Sequence, residues 1–155
     1  MKKIILILLT LVPLLIGWLI NVFIHVPKVG MALLYVLPFV VLVFWFWLGR
    51  QYAKTDWRPL SAIIIGSASG LISLALYIWQ FHIITEEARN IFLATLSQMY
   101  FAAVPEWIFA GIFAGIGIYI FLVLHIIALV LMIAVFTFGY LTGRSAENNE
   151  TKEKD

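Results

Sequence analysis

Four apolar runs follow one another along the chain: Ile4 to Ile24, Gly30 to Gly49, Leu60 to Phe81, and a stretch from Trp107 to Gly143 without one charged side chain. Each reaches the ~20 residues that a helix needs to cross a hydrocarbon core of ~30 Å. The last overshoots. At ~1.5 Å per residue it would extend ~55 Å as one helix, so something besides a span occupies one end of it. The pattern predicts an all-α integral membrane protein: a four-transmembrane-helix bundle with spans at about 4–24, 30–49, 60–81 and 119–143, a single unit over residues 1–144.

The first run begins like a signal peptide, with Lys2 and Lys3 before the apolar stretch. It is long enough to span, and Ile24-His25-Val26-Pro27 lacks the small-x-small pattern of a cleavage site, so a retained helix is expected. The connection from His82 to Pro105 is too polar to span. Within it, Thr85 suits an N-cap with Glu86 and Glu87 in the first turn. Ala88, Ile91, Phe92, Leu96, Met99 and Ala103 then recur at steps of three and four. This predicts an amphipathic helix over about 86–104, lying on the outer membrane surface between the third and fourth spans. Residues 107–122 are surplus to the fourth span and too apolar for water; tilt, re-entry or a partner protein would hide them. The polar tail, 145–155, is expected to be disordered in the cytoplasm.

Charge fixes the expected orientation. With four spans, Lys2, Lys3, Arg50, Lys54, Arg58, Arg144, Lys152 and Lys154 fall on one side, and Lys28 and Arg89 on the other. The positive-inside rule then puts both termini in the cytoplasm and the chain in the cell membrane, whereas a fifth span would spoil the agreement. Trp45, Trp47 and Trp57 would mark the inner interface, and Trp18, Trp79 and Trp107 the outer one. At 64% hydrophobic and 12% charged, the 155 residues leave nothing for a soluble core. The absence of cysteine removes disulfides, thiolate metal sites and thiol nucleophiles.

Candidate chemistry is sparse. Small residues at four-residue spacing, Gly66 and Gly70 in the third run and Gly111 and Gly115 in the surplus segment, are helix-contact candidates, because they let backbones approach closely. The first pair suits packing within the bundle and the second a partner. Pro13 and Pro38 should kink their helices near mid-depth and free the carbonyls of Leu9 and Leu34. Five polar groups are expected towards the outer face: His25, His82, Glu86, Glu106 and His125. His82 and Glu86, spaced i and i+4, would add to a nitrogen and oxygen ligand set, but interfacial histidines need no metal. For buried His125, a hydrogen bond to Tyr119, Gln80 or a carbonyl is the plain outcome.

No catalytic motif is present, and no catalytic residue, cofactor or metal is expected. The basic and aromatic loop from Arg50 to Pro59 suits anionic headgroups of membrane lipids; nucleic acid is not implied. The expected function is a non-enzymatic accessory, regulatory or immunity-type subunit of a larger membrane complex, bound to another integral membrane protein or to itself. A small homo-oligomeric transporter or channel is the alternative, with only Thr10, Asn21, the third-run serines, Gln80 and His125 to line a path.

Overall fold

The computed structural model describes residues 3–26, 28–104 and 120–152. Their elements are helices: α1 (Lys3–Leu9), α2 (Val12–Phe23), α3 (Val29–Ala53), α4 (Pro59–Ile78) with a π-helical turn at Trp79–Ile83, a 3-10 turn at Glu86–Ala88, α5 (Ile91–Ala102) and α6 (Ile120–Lys152). Four stretches are long and apolar enough to cross a membrane: Lys3–Phe23, Val29–Ala53, Pro59–Ile83 and Phe121–Ala146. Only 22% to 39% of the residues in their most apolar parts are buried, so large aliphatic side chains such as Ile4, Val43 and Leu60 face outward. That is affordable where the surrounding medium is as apolar as the core.

α3 and α6 form the most extensive seam and run parallel, as the second and fourth members of an up-and-down bundle must. Gly49 meets the backbone at Phe136 and Tyr140, Gly139 meets the carbonyl of Phe46, and Gly143 approaches Arg50 and Ala53. α4 crosses this pair in the opposite sense, with Gly66 against the Phe136 ring and Gly70 against Leu129 and Tyr100. Trp45, Tyr52 and Phe136 pack ring to ring in the core, at centroid separations of 6.2 Å and 5.1 Å from Phe136. Trp45 is fully buried, so this indole belongs to the core and not to the interfacial belt expected for it. The reason is the seam: glycines on α6 bring α3 close enough to enclose a ring that would otherwise face outward.

Pro13 divides the first span into α1 and α2. Downstream of the break the bonding slips by one residue, and Leu14 N–H donates to Leu11 O at 3.0 Å, which leaves the Thr10 carbonyl without its helical partner. Ser69 of α4 donates to that carbonyl at 2.7 Å, in a buried position. The third-run serine thus repairs the defect made by the proline. Ser69→Ala is expected to cost about 1–2 kcal/mol, because the buried Thr10 carbonyl would lose its donor. Unfolding of the variant in a denaturing-detergent titration, followed by helical circular dichroism, should show the earlier midpoint; an unchanged midpoint would mean the bond contributes nothing.

α5 is a wedge. It starts where Asn90 meets Gln80 and runs antiparallel to α4 until Tyr100 reaches Gly70. On its other side Gly17 of α2 lies against the backbone of Met99. Three details differ from the pattern-based expectation. The cap is Asn90, whose Oδ1 accepts from Leu93 N–H at 3.1 Å, and Glu86–Ala88 forms a separate 3-10 turn after Thr85. Secondly, the buried positions are Ala94, Ser97, Tyr100 and Phe101, while Ile91 and Phe92 are 80% and 72% exposed. Small residues allow close approach to α2 and α4, and apolar surroundings impose no cost on the bulky ones left outside. Thirdly, α6 continues through the polar tail to Lys152 instead of ending near Arg144. Ala146, Glu147 and Glu150 are good helix formers and let the helix propagate.

Candidate functional site

The bundle has two chemically distinct ends. At one, Lys3 Nζ lies 3.7 Å from Asp56 and 5.8 Å from the centre of the Trp57 ring, and Lys54, Arg58 and Arg144 border the same shallow cleft. Tyr140 OH donates to Trp57 O at 3.4 Å and ties the loop to α6.

The opposite end holds the candidate site, a half-open cavity of about 660 Å³ between the π-helical turn, α5 and the start of α6. Its volume falls in the ~300–1,000 Å³ range of small-ligand sites. His82, Glu86, Arg89, Gln98 and His125 supply its polar lining, and Tyr77, Phe81, Phe101 and Phe121 its rings. His125 is 5% exposed and held between aromatic faces, its centroid 4.2 Å from that of Tyr77 and 4.1 Å from that of Phe101. Tyr77 in turn stacks on Phe81 at 4.8 Å. The site is therefore a row of rings with polar groups at its mouth.

Gln80 organises that mouth. The π turn, closed by Ile84 N–H donating to Trp79 O at 3.0 Å, inserts one residue into α4; such turns recur at functional sites because they redirect side chains and carbonyls. Here Gln80 is fully buried: its Oε1 accepts from Asn90 N–H at 2.9 Å and its backbone O accepts from Arg89 Nε at 3.0 Å. The Arg89 guanidinium also lies 4.7 Å over the Phe81 ring. One glutamine thus pins the connection, the cap of α5 and the cation of the site.

Of the five polar residues singled out by sequence, three, His82, Glu86 and His125, line this one cavity. His25 is exposed on the α2–α3 connection and is not part of the lining, and Glu106 lies outside the described residues. Gly111, Gly115 and Tyr119 also lie outside them. Among the described residues, no group of three His, Asp or Glu side chains is placed to hold a metal ion. Sequence reasoning overlooked the organising role of Gln80, and it placed Arg89 on the outer side without naming it among the site candidates. A lone glutamine inside an otherwise apolar run was the available signal, since an unpaired amide there is costly. Gly17, Gly49 and Gly139 were overlooked as well, although Gly139 and Gly143 repeat the four-residue spacing of Gly66 and Gly70.

Fold and site together define a helical bundle with four helices of membrane-spanning length and an aromatic-lined polar cavity at one end. In comparisons with protein-family models, curated proteins and solved structures, none matches the chain.

Proposed function

We propose that this chain is a non-enzymatic accessory or regulatory subunit of a larger membrane complex, of which an immunity-type protein is one form, held in the cell membrane with both termini in the cytoplasm. The observation that carries this reading is where the polar groups lie. At mid-bundle, Ser69 is engaged with the Thr10 carbonyl. Trp45, Met132 and Phe136 fill the neighbouring core with apolar volume. Asn21 sits beside a separate, small cavity of about 150 Å³ on the other side of α5. Among the described residues the charged side chains lie towards the ends, and the buried polar groups between them, Thr10, Ser67, Ser69, Ser73 and Ser97, are small hydroxyls packed between helices instead of lining the continuous path that a conduit through the bundle needs. Such a distribution suits recognition at the bundle ends and helix contacts along its sides.

The orientation rests on charge. Lys3, Lys54, Arg58 and Arg144 share one end and Arg89 occupies the other, so the positive-inside rule assigns the first to the cytoplasm and the cavity to the outer side. In this frame α5 descends from the outer surface into the bundle. Native mass spectrometry of the tagged chain in mild detergent is expected to find a second membrane protein at fixed stoichiometry, and Gly111→Leu with Gly115→Leu to dissociate it without loss of insertion. Recovery as a monomer or homo-oligomer only would overturn the proposal, and solute flux through the purified chain that His125→Ala abolishes would replace it with the transporter.

A further inference from the structure

The cavity carries two opposite charges on one wall, and the described residues do not pair them. Arg89 N–H donates to Glu86 O at 3.3 Å, so the two residues are consecutive corners of a 3-10 turn, whose geometry stacks positions i and i+3 on one side. Both line the cavity. Yet the Arg89 side chain is drawn away, its Nε held by the Gln80 carbonyl and its plane laid over Phe81. Among the described residues, neither Glu86 nor Arg89 has a partner of opposite charge. With Nε committed, the two terminal guanidinium nitrogens remain, in a fork that matches two oxygens of a phosphate.

The surroundings say what kind of molecule carries that phosphate. Phe121 of the lining and Ile83 beside His82 are 57% and 69% exposed, and Ile91 and Phe92, which follow Arg89 at the start of α5, are 80% and 72% exposed, so the polar mouth has an apolar rim. A solute free in water would have nothing to bind on such a rim, whereas the acyl chains of an amphiphile would lie along it. At about 660 Å³ and half open towards that rim, the cavity has room for a headgroup and its glycerol. We propose that the cavity binds a zwitterionic phospholipid, with the phosphate on Arg89 and the ammonium group on Glu86, where the aromatic lining adds attraction for a cation. A lipid whose headgroup has phosphate but no amine leaves Glu86 without a counter-charge and brings a second negative group beside it, so the site discriminates by headgroup as well as by charge. The inference goes beyond the subunit reading, and its test requires no partner protein.

The purified full-length chain in non-ionic detergent is titrated with short-chain phosphatidylethanolamine, short-chain phosphatidylglycerol and water-soluble O-phosphoethanolamine, and retained adducts are counted by native mass spectrometry. Phosphatidylethanolamine is expected to bind about tenfold or more tightly than either of the others, the ratio that ~1.4 kcal/mol produces. Arg89→Gln is expected to remove most of that binding, and Glu86→Gln to bring the two lipids to nearly equal affinity. Glu86 is exposed on its turn and engaged in no ion pair, so its variant keeps the test decisive if Arg89→Gln disturbs folding. Equal retention of the two lipids by the unaltered chain, or a preference untouched by Glu86→Gln, would overturn the proposal. Binding of O-phosphoethanolamine as tight as that of the lipid would overturn the lipid as the source of the headgroup.

Discussion

Gly139→Ala is expected to destabilise the bundle more than any other single methyl group added along the α3–α6 seam. A Cβ at this position overlaps the carbonyl of Phe46, and Phe46 Cα lies 3.1 Å away, so the obstruction is backbone and cannot rotate aside. Alanine has a helix propensity ~1 kcal/mol better than glycine, which works in favour of the variant. Overpacking of a fixed contact costs ~1–3 kcal/mol or more and outweighs it, because α3 and α6 must separate along their length. The net loss should be about 2 kcal/mol, and greater for Gly139→Leu. Gly66→Ala is the internal control: the obstructing atoms there are the far end of the Phe136 ring, which can tilt, so its loss should be smaller. Unfolding midpoints of the three variants in a denaturing-detergent titration provide the ranking, and a Gly139→Ala protein as stable as the parent would contradict the close approach of the two helices.

The second large effect is expected at Gly17, where the backbone of Met99 lies against α2 so closely that a Cβ would overlap its carbonyl. Gly17→Leu should displace α5 from α2 and, because Gln98, Phe101 and Ala102 line the cavity, disrupt the candidate site from behind. The chain contains no cysteine, so one can be introduced as a probe. Ser97 is fully buried and donates to Ala94 O at 2.7 Å, which makes Ser97→Cys a reporter for the seating of α5. Maleimide labelling of this cysteine is expected to be slow in the parent background and about thirtyfold faster with Gly17→Leu, the factor that ~2 kcal/mol of lost local stability produces. Equal protection in both backgrounds would show that α5 is not held by this contact.

The two contacts also show why the site was half legible. His82, Glu86 and His125 stood out because titratable groups are rare and costly in an apolar chain, and the fold gathers all three around one cavity. Their sequence separation gave no hint of the rings between them. His125 reaches Tyr77 and Phe101 only because α5 packs between α2 and α4, whereas the pattern of α5 pointed to a helix lying on the membrane surface with its bulky face towards lipid. The structure buries the face with Ala94 and Ser97 instead. In water, burial sorts residues by hydrophobicity; among apolar helices in an apolar medium it sorts them by size and fit. Periodicity therefore finds α5 without revealing that its small-residue side packs into the bundle.

By itself the sequence determined the class and the helix count: four uncharged runs of sufficient length can pair their backbone groups only by coiling, and that requirement acts within each run without reference to the others. It also pointed to a kink at Pro13, since a missing N–H is a local defect, but the same defect at Pro38 leaves α3 a single helix. Contacts between runs were decided by the tertiary structure alone. That Ser69 would satisfy the carbonyl freed by the break, that Gln80 would pin Arg89 and Asn90, and that Gly139 would meet backbone where Gly66 meets a ring all depend on which helix faces meet. Where every helix is apolar all round, hydrophobicity no longer selects a face, and the choice passes to the shape of small residues and the few polar groups that need partners.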